Sequence, residues 1–271
     1  MTFDTSVVVT TYRWPAALQT VLAGLARQGE QGFEVVVADD GSGPETAEVV
    51  AAAERRWFPG RIKHVWQEDD GFRVARARNL AVQASSGSTL IFLDGDCVPR
   101  PGFVAAHARA RPGRVTCGRR SLLSEAATRA WLDGPEDAVV PSFREQILMR
   151  RRGDLNRLPG LTDAPLAILG WPLGWKRFRG MNNAMHRSDF MEIDGYDQSF
   201  QGWGFEDSDL AIRLQNQGVR LIRPGRGSTV VHLWHRESDR QFEGKNLTRL
   251  DSVRTSGRRR AIEGLSSLPT P

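Results

Sequence analysis

Three short stretches carry residues that could do chemistry. "GWGFEDSDL", from Gly202 to Leu210, places Glu206, Asp207 and Asp209 within four positions, behind Trp203 and two glycines. Acids at the start of a helix are stabilised by its dipole, by about 0.3–1 kcal/mol each. A carboxylate beside a bulky ring can also act as a general base. "LDGD" sets Asp94 and Asp96 on either side of Gly95, directly after the apolar run "TLIFL". Two carboxylates so spaced at a strand end suit a hard divalent cation, although Asp-Gly alone also marks turns. "VVHLWH" puts His232 and His235 three apart behind another apolar run. Imidazole in such a set favours manganese over magnesium.

These residues need a frame. "SVVVTTY", "FEVVVADDGS", "RIKHVWQ", "STLIFLDGD" and "GRVTCG" read as five strands, by their apolar β-branched runs. Helical stretches follow them: one opening at Pro15 with Leu18, Val21, Leu22 and Leu25 on one face, one opening at Pro44, "FRVARARNLAVQAS", and the short "PGFVAAHARA". Such alternation predicts an α/β fold with an open, mostly parallel sheet flanked by helices. Ligands of such sheets lie beyond the carboxyl ends of the strands. Those ends carry Thr10, Thr11 and Tyr12; Asp39, Asp40, Gly41 and Ser42; Asp69, Asp70 and Gly71; and Asp94, Gly95 and Asp96. Four polar ends on one edge are more than turn-making requires. "TTYRWP" has no glycine and there is no P-loop, so a dinucleotide in its usual pose is not expected. "EDSDLAIRLQNQG" reads as a helix, with Glu206 and Asp207 just ahead of it and Asp209 serving mostly its dipole.

The chain has 271 residues, 40% apolar and 25% charged, which fits one or two soluble globular domains. No run approaches the roughly 20 apolar residues of a membrane span. An acid near the N-terminus replaces the basic residues of a secretory signal, so the expected compartment is the cytoplasm. Cys97 and Cys117 are too few for a disulfide framework and are expected as reduced thiols. The net charge of +5 comes with no nucleic-acid-binding motif. A polyphosphate ligand fits it, as does peripheral contact with an acidic membrane surface.

Taken together, "SVVVTTYRW", "VVVADDGS", "RVARARNLAVQASSGSTLIFLDGDCVPRPGF" and "GYDQSFQGWGFEDSDLAIRLQNQG" resemble family 2 glycosyltransferases of the GT-A fold. The second half also resembles the C-terminal module of β-1,4-galactosyltransferases and chondroitin-type polymerases. The resemblance covers residues 5–118 and 178–236. It implies a UDP-sugar donor, Mn2+ or Mg2+, and inversion at the anomeric carbon. It further implies that Thr10, Tyr12, Asp39 and Asp40 hold the uridine and that Arg78 lies near the diphosphate. "LDGD" becomes the DXD motif, with Asp94 on ribose or metal and Asp96 the firmest metal ligand. His235 matches the family's ligating histidine. His232 stands where the relatives have a methionine, three residues ahead. Asp207 takes the place of the general base, Glu206 binds sugar hydroxyls, and Trp203, beside Gly204, stacks on a sugar ring. Asn182 and Asn183 suit a wall between donor sugar and acceptor, or a turn.

The expected layout is one compact unit with four segments: a nucleotide-sugar half (1–118), a variable acceptor-side segment (119–179), a catalytic half (180–240) and a basic flexible tail (241–271). The tail's arginines, with Lys245 and Arg249, would either be solvated or close over the diphosphate. "SFREQILMRRRGDL" reads as a basic amphipathic helix, and Trp171 and Trp175 as core or substrate platform. The acceptor could be a glycan, a lipid-linked sugar or a small molecule. Three rival readings stand beside inverting transfer: a non-catalytic nucleotide-sugar or glycan-binding module, a retaining transferase and a nucleotidyltransferase.

Overall fold

The computed structural model describes residues 3–30, 32–107, 109–135, 140–159, 172–236 and 239–269. Four parallel strands form its first half: β1 (Thr5–Thr11), β2 (Phe33–Asp39), β3 (Ile62–Trp66) and β4 (Thr89–Asp94). They join β8 (Asn182–His186), β6 (Arg114–Cys117) and β9 (Arg220–Ile222) in a seven-stranded sheet of order β3-β2-β1-β4-β8-β6-β9. β8 runs antiparallel to both β4 and β6, so the sheet is mixed at its centre. A small sheet of order β5-β10-β7 joins Cys97–Val98 (β5), Val230–His232 (β10) and Arg120–Leu122 (β7).

β1 is buried along nearly its whole length because helices cover both faces of the sheet. Its side chains alternate between two cores. Val7 and Val9 pack with α1 (Pro15–Ala26) and Val50 of α2 (Pro44–Arg56). Val8 packs in the opposite core, which includes Ala77 and Ala81 of α3 (Val74–Ala84) and Phe190 and Leu210. Both α1 and α2 begin at proline, whose missing N–H costs nothing there.

The segments after the first half are shorter. They include α4 (Phe103–Ala106), α5 (Glu125–Leu132), α6 (Phe143–Arg152) and α7 (Arg187–Glu192). α6 is the expected basic helix, started by a Ser142–Glu145 capping box and stopped by Gly153 in the left-handed region. Trp175 lies in a single 3-10 turn and is flanked by the cations of Lys176 and Arg254, while Trp171 is outside the described residues.

Two expectations are corrected. α8 spans Glu206–Asn216, so Glu206 and Asp207 form its first turn rather than preceding it. The stretch expected as a loose tail instead carries α9 (Glu243–Ser256), followed by a strap laid along the body. Arg258 of the strap reaches Asp197 at 3.3 Å and Asp209 at 3.2 Å. The Ile262 amide donates to Asp197 (2.9 Å) and the Ser266 amide to Asp194 (2.8 Å). Buried carboxylates hold the strap, and its composition alone does not reveal them. Among the described residues no helix is long and apolar enough to cross a membrane. Both cysteines are buried and unpaired.

Candidate active site

The polar ends of β1 and β4 and the start of α8 meet at the candidate cleft, and Arg78 is the joint. It projects from α3 and is almost fully buried. Its Nη2 donates to Asp94 Oδ1 at 2.9 Å and its Nη1 to Glu206 Oε1 at 3.1 Å. Thr10 Oγ1 donates to the same Asp94 oxygen at 2.9 Å. The guanidinium also lies over the buried ring of Tyr196, 5.0 Å from its centroid. Two stretches more than a hundred residues apart in sequence, "LDGD" and "FEDSD", therefore share one cation. The Asp94 and Glu206 carboxylates hold Arg78 charged against the burial that disfavours it. Burial, and then the charge of Asp207, pushes the Glu206 carboxyl up to about 7.

Asp207 sits beside this joint. Its Oδ2 accepts from the Gly180 amide at 3.0 Å, and Ser208 Oγ donates to its Oδ1 at 3.2 Å. The turn leading into α8 is unusual. Phe205 adopts φ 74°, a left-handed conformation that a bulky residue rarely holds. From the first turn that follows, Glu206 reaches the end of β4 through Arg78.

Asp96 anchors the other end of the cleft. Its Oδ2 lies 3.1 Å from His235 Nε2 and 3.5 Å from His232 Nε2. The two imidazole rings are 5.1 Å apart. Burial pushes the Asp96 carboxyl up, but the His235 bond and both imidazoles outweigh it and hold the group below its usual range. The bond to Asp96 raises His235, whereas burial lowers His232. Asp96 Oδ1 is buried without a hydrogen-bond partner. An orphaned carboxylate oxygen beside two imidazoles is what a divalent-cation site leaves when only protein atoms are counted. Gly95 is required for another reason: a Cβ there would come within 2.5 Å of the Thr10 carbonyl oxygen.

The expected uridine residues divide. Tyr12 is half exposed and its hydroxyl donates to Asp69 at 3.2 Å. Asp39 is fully buried, accepting from the Ser42 amide at 2.8 Å and meeting His64 at 2.8 Å. Burial raises its carboxyl, yet these bonds leave it below its usual range. Asp40 accepts from Gln67 and from the Arg73 amide (2.7 Å), and burial raises it. Asp39 thus ties β2 to β3, and Asp40 ties it to the segment before α3.

On the acceptor side Trp203 is exposed, with the Arg240 guanidinium 4.9 Å from its ring centroid, and Gly204 follows it at φ 107°. Asn182 and Asn183 lie in a strand rather than in a turn. Both are fully buried in β8. Asn182 meets His107 Nε2 at 3.0 Å and donates to the carbonyls of Arg119 (2.8 Å) and Ser228 (2.7 Å). Asn183 donates to the carbonyls of Arg179 and Gly180, both at 3.0 Å, which steadies the Gly180 amide that meets Asp207. Asn182 thus uses its whole side-chain amide as a bracket, whereas Asn183 Oδ1 is buried without a hydrogen-bond partner. Sequence reasoning missed Tyr196 and Gly180 as partners of Arg78 and Asp207. A lone tyrosine in "GYD" carries no signal of the arginine above it.

Comparisons with known proteins give the family and the fold. Residues 6–165 match the family model of glycosyl transferase family 2, and residues 164–236 match that of the N-terminal domain of galactosyltransferase. The two matches leave no gap, although the resemblance in the sequence fell into separate blocks. Validoxylamine A glucosyltransferase of Streptomyces hygroscopicus subsp. limoneus is 36% identical over 80% of this chain and 49% of its own length. The hyaluronan synthase of Pasteurella multocida is 34% identical over 92% of this chain and 26% of its own. The chain thus spans about half the length, or less, of these curated relatives. Among solved structures, GalNAc-T7 with UDP, GalNAc and Mn2+ superposes with a TM-score of 0.64 at 18% identity, covering 93% of this chain and 48% of that one. The mannosyltransferase PcManGT from Pyrobaculum calidifontis, in complex with GDP-Man and Mn2+, gives 0.59 at 18% identity, covering 94% and 65%. At that identity these two share the fold, a GT-A sheet flanked by helices.

Proposed function

Because the chain belongs to glycosyl transferase family 2, we propose that its cleft performs metal-dependent, inverting transfer of a sugar from a UDP-sugar to a hydroxyl of a glycan or a small molecule. The observation that carries this reading is the bridge from Asp94 through Arg78 to Glu206, which sets Asp207 in the same cleft as Asp96 and the two histidines. Relatives named validoxylamine A glucosyltransferase and chondroitin synthase support the acceptor class.

Asp207 accepts the proton of the acceptor hydroxyl as that oxygen attacks the anomeric carbon. The bond from that carbon to the diphosphate breaks, and UDP leaves with its electrons. The Gly180 amide and Ser208 hydroxyl orient the Asp207 carboxylate while leaving lone pairs for the incoming proton. Glu206, steadied by Arg78, meets sugar hydroxyls, and Trp203 offers its exposed ring to a sugar face. Asp96, His235 and His232 would hold Mn2+ or Mg2+, and the orphaned Asp96 oxygen and the nitrogen-bearing set favour Mn2+. When bound, that ion neutralises the charge developing on the leaving diphosphate. Tyr12, Thr10 and Asp94 line the nucleoside end, and Asp39 and Asp40 shape it.

A panel of UDP- and GDP-sugars tests the reading, with UDP or GDP release followed with and without Mn2+ and after chelation. Slow Mn2+-dependent release of UDP from one donor is expected. Release of GDP instead would replace the donor assignment. An α-linked donor should give a β-linked product by NMR, and retention would overturn the base role of Asp207.

A further inference from the structure

One buried group in the cleft has no task in sugar transfer: the thiol of Cys97. β5 pairs antiparallel with β10, and Cys97 is directly opposite His232. Directly opposed residues of such a pair project from the same face, with Cβ atoms roughly 4.5–5.5 Å apart. The donor atoms of Asp96, Cys97 and His232 all lie within 4.8 Å of one another. His235 lies outside that group but contacts the same Asp96 carboxylate at 3.1 Å, whose other oxygen is buried and unpartnered. One oxygen, one sulfur and one nitrogen donor converge.

That set differs from what sugar transfer asks for. Mn2+ and Mg2+ favour oxygen and imidazole ligands and leave thiols alone, whereas a set that includes sulfur suits a borderline ion. We propose that the cleft has a second metal-binding mode, in which Cys97 Sγ joins Asp96 and His232 around Zn2+ or an ion of similar softness. The inference rests on the metal reading of the site given above. In this mode the sulfur–hydrogen bond is exchanged for a sulfur–metal bond, and one proton passes to solvent. Both modes draw on Asp96 and His232, so Zn2+ at low concentration competes with Mn2+ and silences transfer.

Cys117 provides an internal control. It is equally buried, but it pairs with Asn183 in the other sheet and belongs to no such group. The test is Co2+ titration followed by absorption spectroscopy, with Co2+ standing in for Zn2+. The native protein and Cys117→Ala should both show visible ligand-field bands together with a near-ultraviolet thiolate-to-metal band. Cys97→Ser should keep ligand-field bands and lose the near-ultraviolet band, with its fold checked by circular dichroism. Zn2+ affinity should fall more than about tenfold in Cys97→Ser, while Mn2+ affinity, read by electron paramagnetic resonance, should change less than about threefold. Ligand-field bands without a thiolate band in the native protein would overturn this inference and leave the transferase metal site standing. A near-ultraviolet band that survives in Cys97→Ser would overturn it too. No Co2+ and no Mn2+ binding at all would overturn both.

Discussion

Asp207 and Asp209 stand two residues apart in the first turn of one helix, and their surroundings are opposite. Asp209 is fully buried, and its Oδ2 receives the Arg213 guanidinium at 2.7 Å through both Nε and Nη2. Its Oδ1 receives Arg258 at 3.2 Å. Arg213 itself donates onward to the carbonyls of Ile193 (2.8 Å) and Gly195 (2.9 Å). Both oxygens of the Asp209 carboxylate thus accept from a guanidinium. On the cleft side, among the described residues, Asp207 has an amide and a hydroxyl but no cation of its own, Glu206 shares Arg78 with Asp94, and Asp96 keeps an orphaned oxygen. A carboxylate with both oxygens on cations fixes the backbone. One with an oxygen to spare is what the proposed proton and metal roles require.

This contrast can be broken most severely at Asp96. Asp96→Ala should lower Mn2+ affinity, and with it Mn2+-dependent UDP affinity, by more than about 100-fold, measured by calorimetry, because it removes the ligand that both histidines face. Its melting temperature should stay near that of the native protein. At Asp209 the ranking reverses. Asp209→Ala leaves the Arg213 charge buried and unpaired, so urea denaturation should show a loss of about 3–5 kcal/mol. The fraction that remains folded should still bind UDP.

The smallest effect is a pH dependence. The Glu206 carboxyl is raised to about 7 in the folded protein, above its unfolded value, so the folded state holds its proton more tightly. Between about pH 4.5 and 7 the unfolded state binds fewer protons at this group, and stability falls as pH rises. Chemical denaturation at pH 5 and pH 7.5 should show that fall in the native protein and a shallower one in Glu206→Gln. Equal slopes would place the Glu206 proton elsewhere.

The first half was the more legible part of the molecule. Its strands are long, continuously apolar and end in polar turns, and the periodicity of its helices matches the faces they bury. The DXD stretch and "FEDSD" were visible as clusters of acids, and the cation that joins them was one arginine among many. What stayed hidden depends on distant partners. Arg258 sits in a polar tail whose composition suggests solvent, yet Asp197 and Asp209 capture it across the fold. Asn182 reads as a turn residue and becomes a buried bracket, because His107 and two carbonyls surround it. Cys97 faces His232 only through the register of β5 on β10. Strand register between segments so far apart leaves no local periodicity to read.

The most direct test compares Asp207→Asn with Asp209→Asn, at matched folded fraction and saturating donor and Mn2+. Sugar transfer by Asp207→Asn should fall by about 10²–10⁴-fold with donor affinity within about threefold of native, while folded Asp209→Asn transfers at close to the native rate. Transfer by Asp207→Asn within about tenfold of native, or an equal loss in both variants, would contradict the assignment of the base and the division between reactive and structural carboxylates.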